Sequence, residues 1–460
     1  MVSAESDRKY ALWVSSLAAF LTPFLGSSLN IALPGIGQEF SLTAVALTWI
    51  PTAYLLANVI FMVPFGRLAD IRGRKRIFRI GIWIDVTACI LAMLTPSGTF
   101  FIVLRAFQGL GGAMIFSTSI AILTSVYPPE QRGRVLGINV AAVYSGLSLG
   151  PVIGGLLTHN FGWRSIFTAN IIVGIVIIYL VTVKLKGEWA EARGEKYDWP
   201  GNVFYSIAFI FFMIGFSDAG TWWSYALIAV GVGTMVMFAT RELKIKHPIL
   251  DLNLFRITQF AFSNLAALIN YSATFSLTFL LSLYLQDIKG FDPEKVGLIL
   301  LAQPVMMASL SPYAGRLSDR IEPRIVASIG MGLTALGLLV FCFLGEATPT
   351  MLVLGGLVVV GIGFALFSSP NTNAIMSSVE RRFFGTASGL VGTMRLTGQL
   401  LSMGIATISF SHFLGGRIIG PDTYPLFLTA VRVAFAISTT LCVVGVFASM
   451  ARGKIRKGDG

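Results

Sequence analysis

A seven-residue phrase occurs twice in this chain, 249 residues apart. Gly66-Arg67-Leu68-Ala69-Asp70-Ile71-Arg72 returns as Gly315-Arg316-Leu317-Ser318-Asp319-Arg320-Ile321. Each copy follows one long apolar run and precedes another, so each reads as a short charged turn between two membrane helices. Apolar stretches of about 20 residues span a bilayer. A membrane chain that repeats itself at half length is expected to build two similar helix bundles with a cavity between them.

The charge content agrees. Only 12% of the 460 residues are charged, and mean hydropathy is +0.77. Soluble domains carry roughly 25% charge, so a water-soluble fold is excluded. Cys89, Cys342 and Cys442 all lie within apolar runs and read as packing residues. The first apolar run, near residues 13–36, is too long for a signal-peptide core and no small-x-small cleavage site follows it, so an uncleaved first span is expected.

The runs divide into fourteen expected spans, centred near residues 24, 58, 86, 110, 146, 175, 208, 231, 273, 303, 334, 363, 397 and 439. With both termini placed in the cytoplasm, the cytoplasmic segments hold 27 of the 34 Lys and Arg, and the outer loops hold only Arg164, Lys289, Lys295 and Arg417. That asymmetry sets the orientation by the positive-inside rule. It also accounts for the net charge of +12 without nucleic acid. Residues 1–186 and 258–460 are expected to form the two six-helix bundles. Residues 187–257 are expected to be a linker carrying two extra spans. The extra spans contain no ionisable residue at mid-membrane depth and read as a hairpin beside the core.

The repeated turn holds one acid among many bases. A positive-inside loop explains Arg67, Arg72 and Arg74 but not Asp70 or its counterpart Asp319. An acid in such a turn suits an Arg pair or a helix cap, and Arg134 in the next cytoplasmic loop is the expected partner. Gly66 and Gly73 permit close approach and a tight reversal. Further on, Gly146, Gly150 and Gly154 recur every fourth residue and form a smooth stripe for another helix. Pro151, inside the stripe, removes a backbone donor and invites a bend.

Ionisable groups at membrane depth cost roughly 2.5–3.5 kcal/mol on insertion scales, so each is a functional candidate. Arg105 shares a helical face with Gln108, Gly109 and Gly112, and Arg395 with Gly398, Gln399 and Ser402. Either Arg serves function or satisfies carbonyls at a helix break. Asp85 lies roughly 9 Å inside the cytoplasmic edge marked by Arg79. It reads as a proton site or as the structural partner of an Arg. Ser27 and Asn30 share a face of the first span with Pro23 and Pro34. With Gln108, Asn270, Tyr271, Gln303, Asn371, Asn373 and Arg395 they make up the polar cavity candidates. Uncharged polar groups among aromatics suit amphipathic or weakly charged ligands. For each Asn or Gln, an interhelical hydrogen bond is the simpler reading. No zinc spacing, nucleophile elbow or phosphate loop is present, and His159, His247 and His412 lie in or near loops. No enzyme chemistry, metal or cofactor is expected.

The turn at Gly66 resembles motif A of the major facilitator superfamily. Arg105-Ala106-Phe107-Gln108-Gly109-Leu110-Gly111 resembles its motif B, and residues Gly146 through Gly155 resemble motif C, the antiporter motif. Ser369 through Met376, Ala387-Ser388-Gly389 and Arg395 through Gly398 resemble the C-terminal half of its fourteen-helix drug–proton antiporter branch. The resemblance spans nearly the whole chain. It implies an all-α membrane fold of two six-helix bundles plus two central helices, and alternating access between them. It implies proton-coupled export of small hydrophobic or amphipathic compounds from the cell membrane by a monomer. Gly66, Asp70, Arg74, Arg134 and Asp319 become a conformational latch, and Arg105 and Asp85 become proton-coupling candidates. The third span is peripheral in the family fold, which favours a structural Asp85. One departure stands out. The branch carries an acid in the first span before Asn-x-Ala-Leu-Pro, whereas no acid occurs here between Asp7 and Glu39. Two other readings therefore stay open: an organic-anion uniporter or exchanger drawing on Arg105 and Arg395, and a sensor that no longer transports.

Overall fold

In a computed structural model, residues 2–190, 192–194, 197–217, 221–245, 252–380 and 384–453 are described, and helix accounts for nearly all of them. The apolar runs have little alternative, because a backbone in lipid satisfies its own polar groups only as a helix or a closed barrel. The helices are α1 (Val2–Glu39), α2 (Ala44–Arg72), α3 (Arg74–Met93), α4 (Gly98–Val126), α5 (Pro129–Phe161) and α6 (Ser165–Tyr179). Next come α7 (Trp199–Ser217) and α8 (Trp222–Glu242). The remainder are α9 (Thr258–Thr274), α10 (Ser276–Leu283), α11 (Pro293–Leu300), α12 (Ala302–Arg320), α13 (Pro323–Phe341), α14 (Thr350–Ser377), α15 (Phe384–Phe413) and α16 (Tyr424–Ala451). The chain falls into two compact units. One comprises residues 1–42, 49–210 and 292–297, and the other residues 43–48, 211–291 and 298–460.

Among the described residues, twelve helical stretches are long and apolar enough to cross a membrane. The expected count of fourteen also needs α3 and α15, which fall outside that set. Arg74, Lys75, Arg76, Arg79 and Asp85 dilute the first, and Arg395 and Gln399 the second. Outward faces are apolar: Ile172, Val176 and Val183 are exposed on the first unit, and Val443, Val444 and Phe447 on the second. Soluble monomers rarely expose such contiguous apolar area, and lipid accommodates it.

The first unit is held by a core of Val14, Ala18, Leu21, Phe78, Ile82, Val86, Ile115, Ile122, Ile177 and Val181. These come from α1, α3, α4 and α6, and Val181 from the turn after α6. Helices here approach closely because small residues meet. A Cβ on Gly81 would lie 2.9 Å from the Gly111 carbonyl oxygen, and one on Gly111 would lie 2.8 Å from that of Gly81. At the end of the unit opposite the basic turn, Arg164 forks onto Glu39, with Nη2–Oε1 at 2.6 Å and Nη1–Oε2 at 2.8 Å. That pair ties the end of α1 to the start of α6.

The second unit repeats the arrangement within itself. Its core includes Ala266, Ala327, Met331 and Phe367 from α9, α13 and α14. Gly330, 249 residues after Gly81, meets Gly363, 252 residues after Gly111, and a Cβ on either would lie 2.6 Å from the other's carbonyl oxygen. Likewise Gly66 faces Ser117 in the first unit, and Gly315 faces Ser369 in the second. The repeated phrase is therefore one part of a repeated packing pattern.

Candidate functional site

In the first unit, α3, α4 and α6 bring buried polar residues into one connected group. Gln108 Nε2 donates to Asp85 Oδ1 at 3.0 Å and to Cys89 Sγ at 3.1 Å. Asn170 Nδ2 donates to Asp85 Oδ2 at 3.0 Å and to Cys89 Sγ at 3.1 Å. Arg105 Nη1 donates to Gln108 Oε1. Both charged partners thus orient the Gln108 amide: its nitrogen faces a carboxylate and its oxygen a guanidinium. Arg105 Nε reaches the Ile50 carbonyl of α2 at 3.4 Å, and its guanidinium lies 4.6 Å over the Tyr54 ring. Asp85, Arg105, Gln108 and Asn170 are all buried.

The group unites residues that the sequence left apart. Asp85 and Arg105 are linked by Gln108, so the proton-site and Arg-partner readings of Asp85 describe a single assembly. Gln108, expected to face a cavity, turns its amide to Asp85. Asn170 is the member that sequence reasoning missed; it is buried on an otherwise strongly apolar α6. Applying the internal offset offers a signal. The counterparts of Asp85, Cys89, Arg105 and Gln108 are Thr334, Leu338, Leu357 and Val360, all fully buried. The same helix crossing is thus built in the second unit without either charge. Buried charge is costly, and the corresponding crossing in the second unit stands without it.

The glycine stripe of α5 receives α1. A Cβ on Gly146 would lie 2.3 Å from the Phe20 carbonyl oxygen, one on Gly150 1.8 Å from Ser27 Oγ, and one on Gly154 2.6 Å from Ser28 Cβ. Ser27 Oγ donates to the carbonyls of Pro23 at 2.7 Å and Gly146 at 3.4 Å, and Ser28 Oγ to that of Gly150 at 2.9 Å. Ser27 is therefore engaged in packing. Asn30 is buried on α1, and Pro151 lies inside the continuous helix α5.

In the second unit, the cavity candidates divide. Asn371 donates to the Ser263 carbonyl at 3.0 Å and accepts from Arg452 Nη1 at 2.8 Å. Asn373 donates to Ser318 Oγ of the repeated turn at 3.2 Å. Both are interhelical ties. Tyr271 packs edge-on against Phe364, with centroids 5.5 Å apart. Gln303 and Arg395 are partly buried. Asn270 is fully buried, and its side-chain oxygen and nitrogen have no hydrogen-bond partner among the described residues.

Arg452 was counted in the sequence only as a topological charge. It is 2% exposed and gathers three helices: Nε donates to the Ser449 carbonyl at 2.7 Å, Nη1 to Asn371 and to Ser263 Oγ at 3.3 Å, and Nη2 to Ser449 Oγ. Burial pushes its guanidinium down to about 10; nearby Arg324 adds to the fall and Glu322 opposes it.

The first copy of the repeated phrase, expected as a turn between helices, is the helical end of α2 with Gly73 alone separating it from α3, and it is held from three sides. Asp70 Oδ1 pairs with Arg74, one helical turn on, at 2.7 Å to Nη2 and 2.8 Å to Nε. This corrects the expected Arg134 partner, which is exposed in α5. Arg74 is buried and also donates to the Ala121 carbonyl at 3.3 Å and to Ser125 Oγ of α4. Gly73 has φ +117, a region other residues rarely adopt. The loop after α6 closes over it: Glu188 accepts from the Lys75 and Arg76 amides at 2.9 and 3.1 Å, and Ala192 N donates to the Asp70 carbonyl at 3.0 Å. The carboxylate thus caps the N-terminus of α3. In the second copy, the side chain of Asp319 lies outside the described residues.

Two internally similar helical units with apolar outer faces and a buried charged group define a multi-pass membrane protein of the repeat-built transporter class. The chain belongs to the Major Facilitator Superfamily, whose sequence profile matches residues 15–240 and 264–457. It is 27% identical to the riboflavin transporter RibZ of Clostridioides difficile, over 95% of each chain. It is 31% identical to the multidrug resistance protein Stp of Mycobacterium tuberculosis, over 82% of this chain and 71% of that one. Its fold resembles a crystal structure of the peptide transporter POT in complex with sulfate, with TM-score 0.71, 13% identity, and coverage of 97% and 96%. It also resembles a bacterial homolog of the human lysosomal transporter Spinster, with TM-score 0.67, 17% identity and 99% coverage of each.

Proposed function

We propose that this transporter exports small hydrophobic or amphipathic organic compounds in exchange for protons, by alternating access of two six-helix bundles. In this reading α3 and α15 also cross the membrane, which makes fourteen spans with cytoplasmic termini, and α7 and α8 join the bundles. The observation that carries it is the Asp85–Gln108–Arg105 group, placed in the first unit where the second uses the uncharged Thr334, Val360 and Leu357. The first span has no acid, and Asp85 is the carboxylate available at depth to take its part. A protonated Asp85 leaves one buried charge, and an ionised one leaves two of opposite sign joined by an amide. The two forms make different demands on α3 and α4, which is what coupling requires. Multidrug resistance protein Stp and the cephamycin export protein CmcT of Amycolatopsis lactamdurans, 27% identical over 88% of this chain, support the substrate class. The turn at Asp70 and Arg74 serves as the latch, and Asn270, with its unpaired amide, as a substrate contact.

The test is reconstitution. Purified protein in proteoliposomes is given an imposed pH gradient and a panel of fluorescent amphipathic cations, neutral compounds and carboxylates. Gradient-dependent flux of the cations or neutral compounds, with matching proton movement, supports the proposal. Flux indifferent to the gradient removes the proton, and saturable binding of carboxylates alone favours the organic-anion reading.

A further inference from the structure

On its lipid-facing side, the first unit carries a groove of about 630 Å³ between α3 and α6. Its walls are Arg79 and Trp83 on one side and Ile175, Ile178, Tyr179 and Thr182 on the other. That volume lies within the range of ligand pockets, roughly 300–1,000 Å³. Trp83 and Tyr179 are each 53% exposed. The two helices touch deeper in the membrane, where Gly174 meets Val86. The turn that continues from α6 is wound as a π-helix over Leu180–Lys184, closed by Leu185 N to the Leu180 carbonyl at 3.0 Å. Single π-turns are rare and recur at functional sites.

Charge decides the occupant. Arg79, in the groove wall, has neither an ion pair nor a hydrogen bond to another described residue. The nearest loop acid, Glu188, is committed to the α3 N-terminus. By the positive-inside count, this end of α3 faces the cytoplasm. Arg79 stands about 7.5 Å along the helix from Arg74, where the headgroup region gives way to acyl chains. An unpaired guanidinium at that depth, above an apolar trough flanked by Trp and Tyr, matches a phosphodiester joined to an acyl chain.

We propose that the α3–α6 groove binds one anionic phospholipid, its phosphate on Arg79 and one acyl chain against Trp83, Ile175 and Ile178. Bound there, the lipid lies along the outer side of the seam that Asn170 and Asp85 close from within. The site depends on the orientation given above and not on what is transported.

Trp83 is the reporter. The full chain is reconstituted in phosphatidylcholine vesicles containing a small fraction of either brominated phosphatidylglycerol or brominated phosphatidylcholine. The Trp83 contribution to quenching is taken as the difference between wild type and Trp83→Phe. The expected result is at least threefold more quenching per mole by the anionic lipid. Arg79→Gln brings the ratio to one, while Arg79→Lys and the off-groove Lys186→Gln keep it. Millimolar glycerol phosphate leaves it unchanged. Equal quenching by the two lipids in wild type, which needs no variant, overturns the proposal. So does a preference that survives Arg79→Gln, or one that glycerol phosphate abolishes.

Discussion

Asp85 and Arg105 sit on neighbouring helices with the side chain of Gln108 between them: the amide nitrogen is 3.0 Å from Asp85 Oδ1, and the oxygen accepts from Arg105. One neutral residue thus transmits the state of the carboxylate to the guanidinium. Replacing the carboxylate with its neutral isostere should separate coupling from transport. In Asp85→Asn, accumulation driven by a pH gradient is expected to fall at least tenfold, while substrate counterflow without a gradient stays within about threefold of wild type. Loss of both activities together would assign Asp85 to folding.

The bridge itself is open to test. Gln108→Leu keeps the volume but leaves a buried carboxylate one donor short and a guanidinium one acceptor short. Hydrogen bonds to charged groups contribute about 1.5–3 kcal/mol, and a buried charge left unpaired adds to the loss. The variant is expected to lower the unfolding midpoint in detergent clearly. The triple variant Asp85→Thr, Arg105→Leu and Gln108→Val, which copies Thr334, Leu357 and Val360 of the second unit, should restore midpoint but not transport.

The α5 stripe separates backbone from side-chain conflict. Gly146→Ala sets a methyl 2.3 Å from the Phe20 carbonyl, which cannot move without α1. Gly150→Ala meets Ser27 Oγ, which can be deleted. Overpacking typically costs 1–3 kcal/mol. Gly146→Ala should reach about that range and resist rescue, whereas Gly150→Ala should recover only in part in combination with Ser27→Ala, because Ser27 Cβ at 2.9 Å and the Phe24 carbonyl at 3.0 Å remain. Gly137→Ala, with nothing within 4 Å, should be neutral or stabilising. Thermal denaturation of the four variants distinguishes these outcomes.

How far the sequence could be read followed from what each signal measures. The repeated phrase marks the last turns of α2 and of α12, and with them the two copies of the packing pattern. Glycine spacing along α5 located a close contact, because a stripe on one helix is a local property. Facing is not local. Gln108 could point to a cavity or to α3, and only the crossing at Gly81 and Gly111 turns it to Asp85. Asn170 stands alone in an apolar helix 62 residues after Gln108, so nothing nearby in sequence ties it to Asp85. Asp70 was assigned a partner across a loop, yet a partner one helical turn away at Arg74 is closer. Arg452 was read for its charge alone, which conceals that it is buried, and nothing in the sequence singled out Glu188 as the cap of a helix 113 residues away.

Glu188 places its carboxylate on two amides at the start of α3 and so fastens the loop after α6 to the basic turn. Removing a cap of this kind costs about 1 kcal/mol. Glu188→Ala should destabilise by that order and expose residues 185–194 to protease before the rest of the chain. Glu188→Gln retains an acceptor and should fall between. Unchanged proteolysis in Glu188→Ala would mean that the backbone bonds from Arg74 N to the Trp189 carbonyl, at 2.8 Å, and from Ala192 N to the Asp70 carbonyl suffice alone.

Arg452 provides a pH test with a definite sign. Its guanidinium is pushed down to about 10 in the folded chain, below the ordinary value of 12.5. Between those values the unfolded chain binds more protons than the folded one, so this group's contribution to stability rises with pH. Other groups titrate in the same window, and comparison with Arg452→Gln removes them. The stability of wild type relative to Arg452→Gln should therefore increase by roughly 1 kcal/mol between pH 8 and pH 10.5, read as paired unfolding midpoints in detergent. A gap that stays constant or narrows would mean that Arg452 is solvated in the folded protein, with its charge no costlier there than in water.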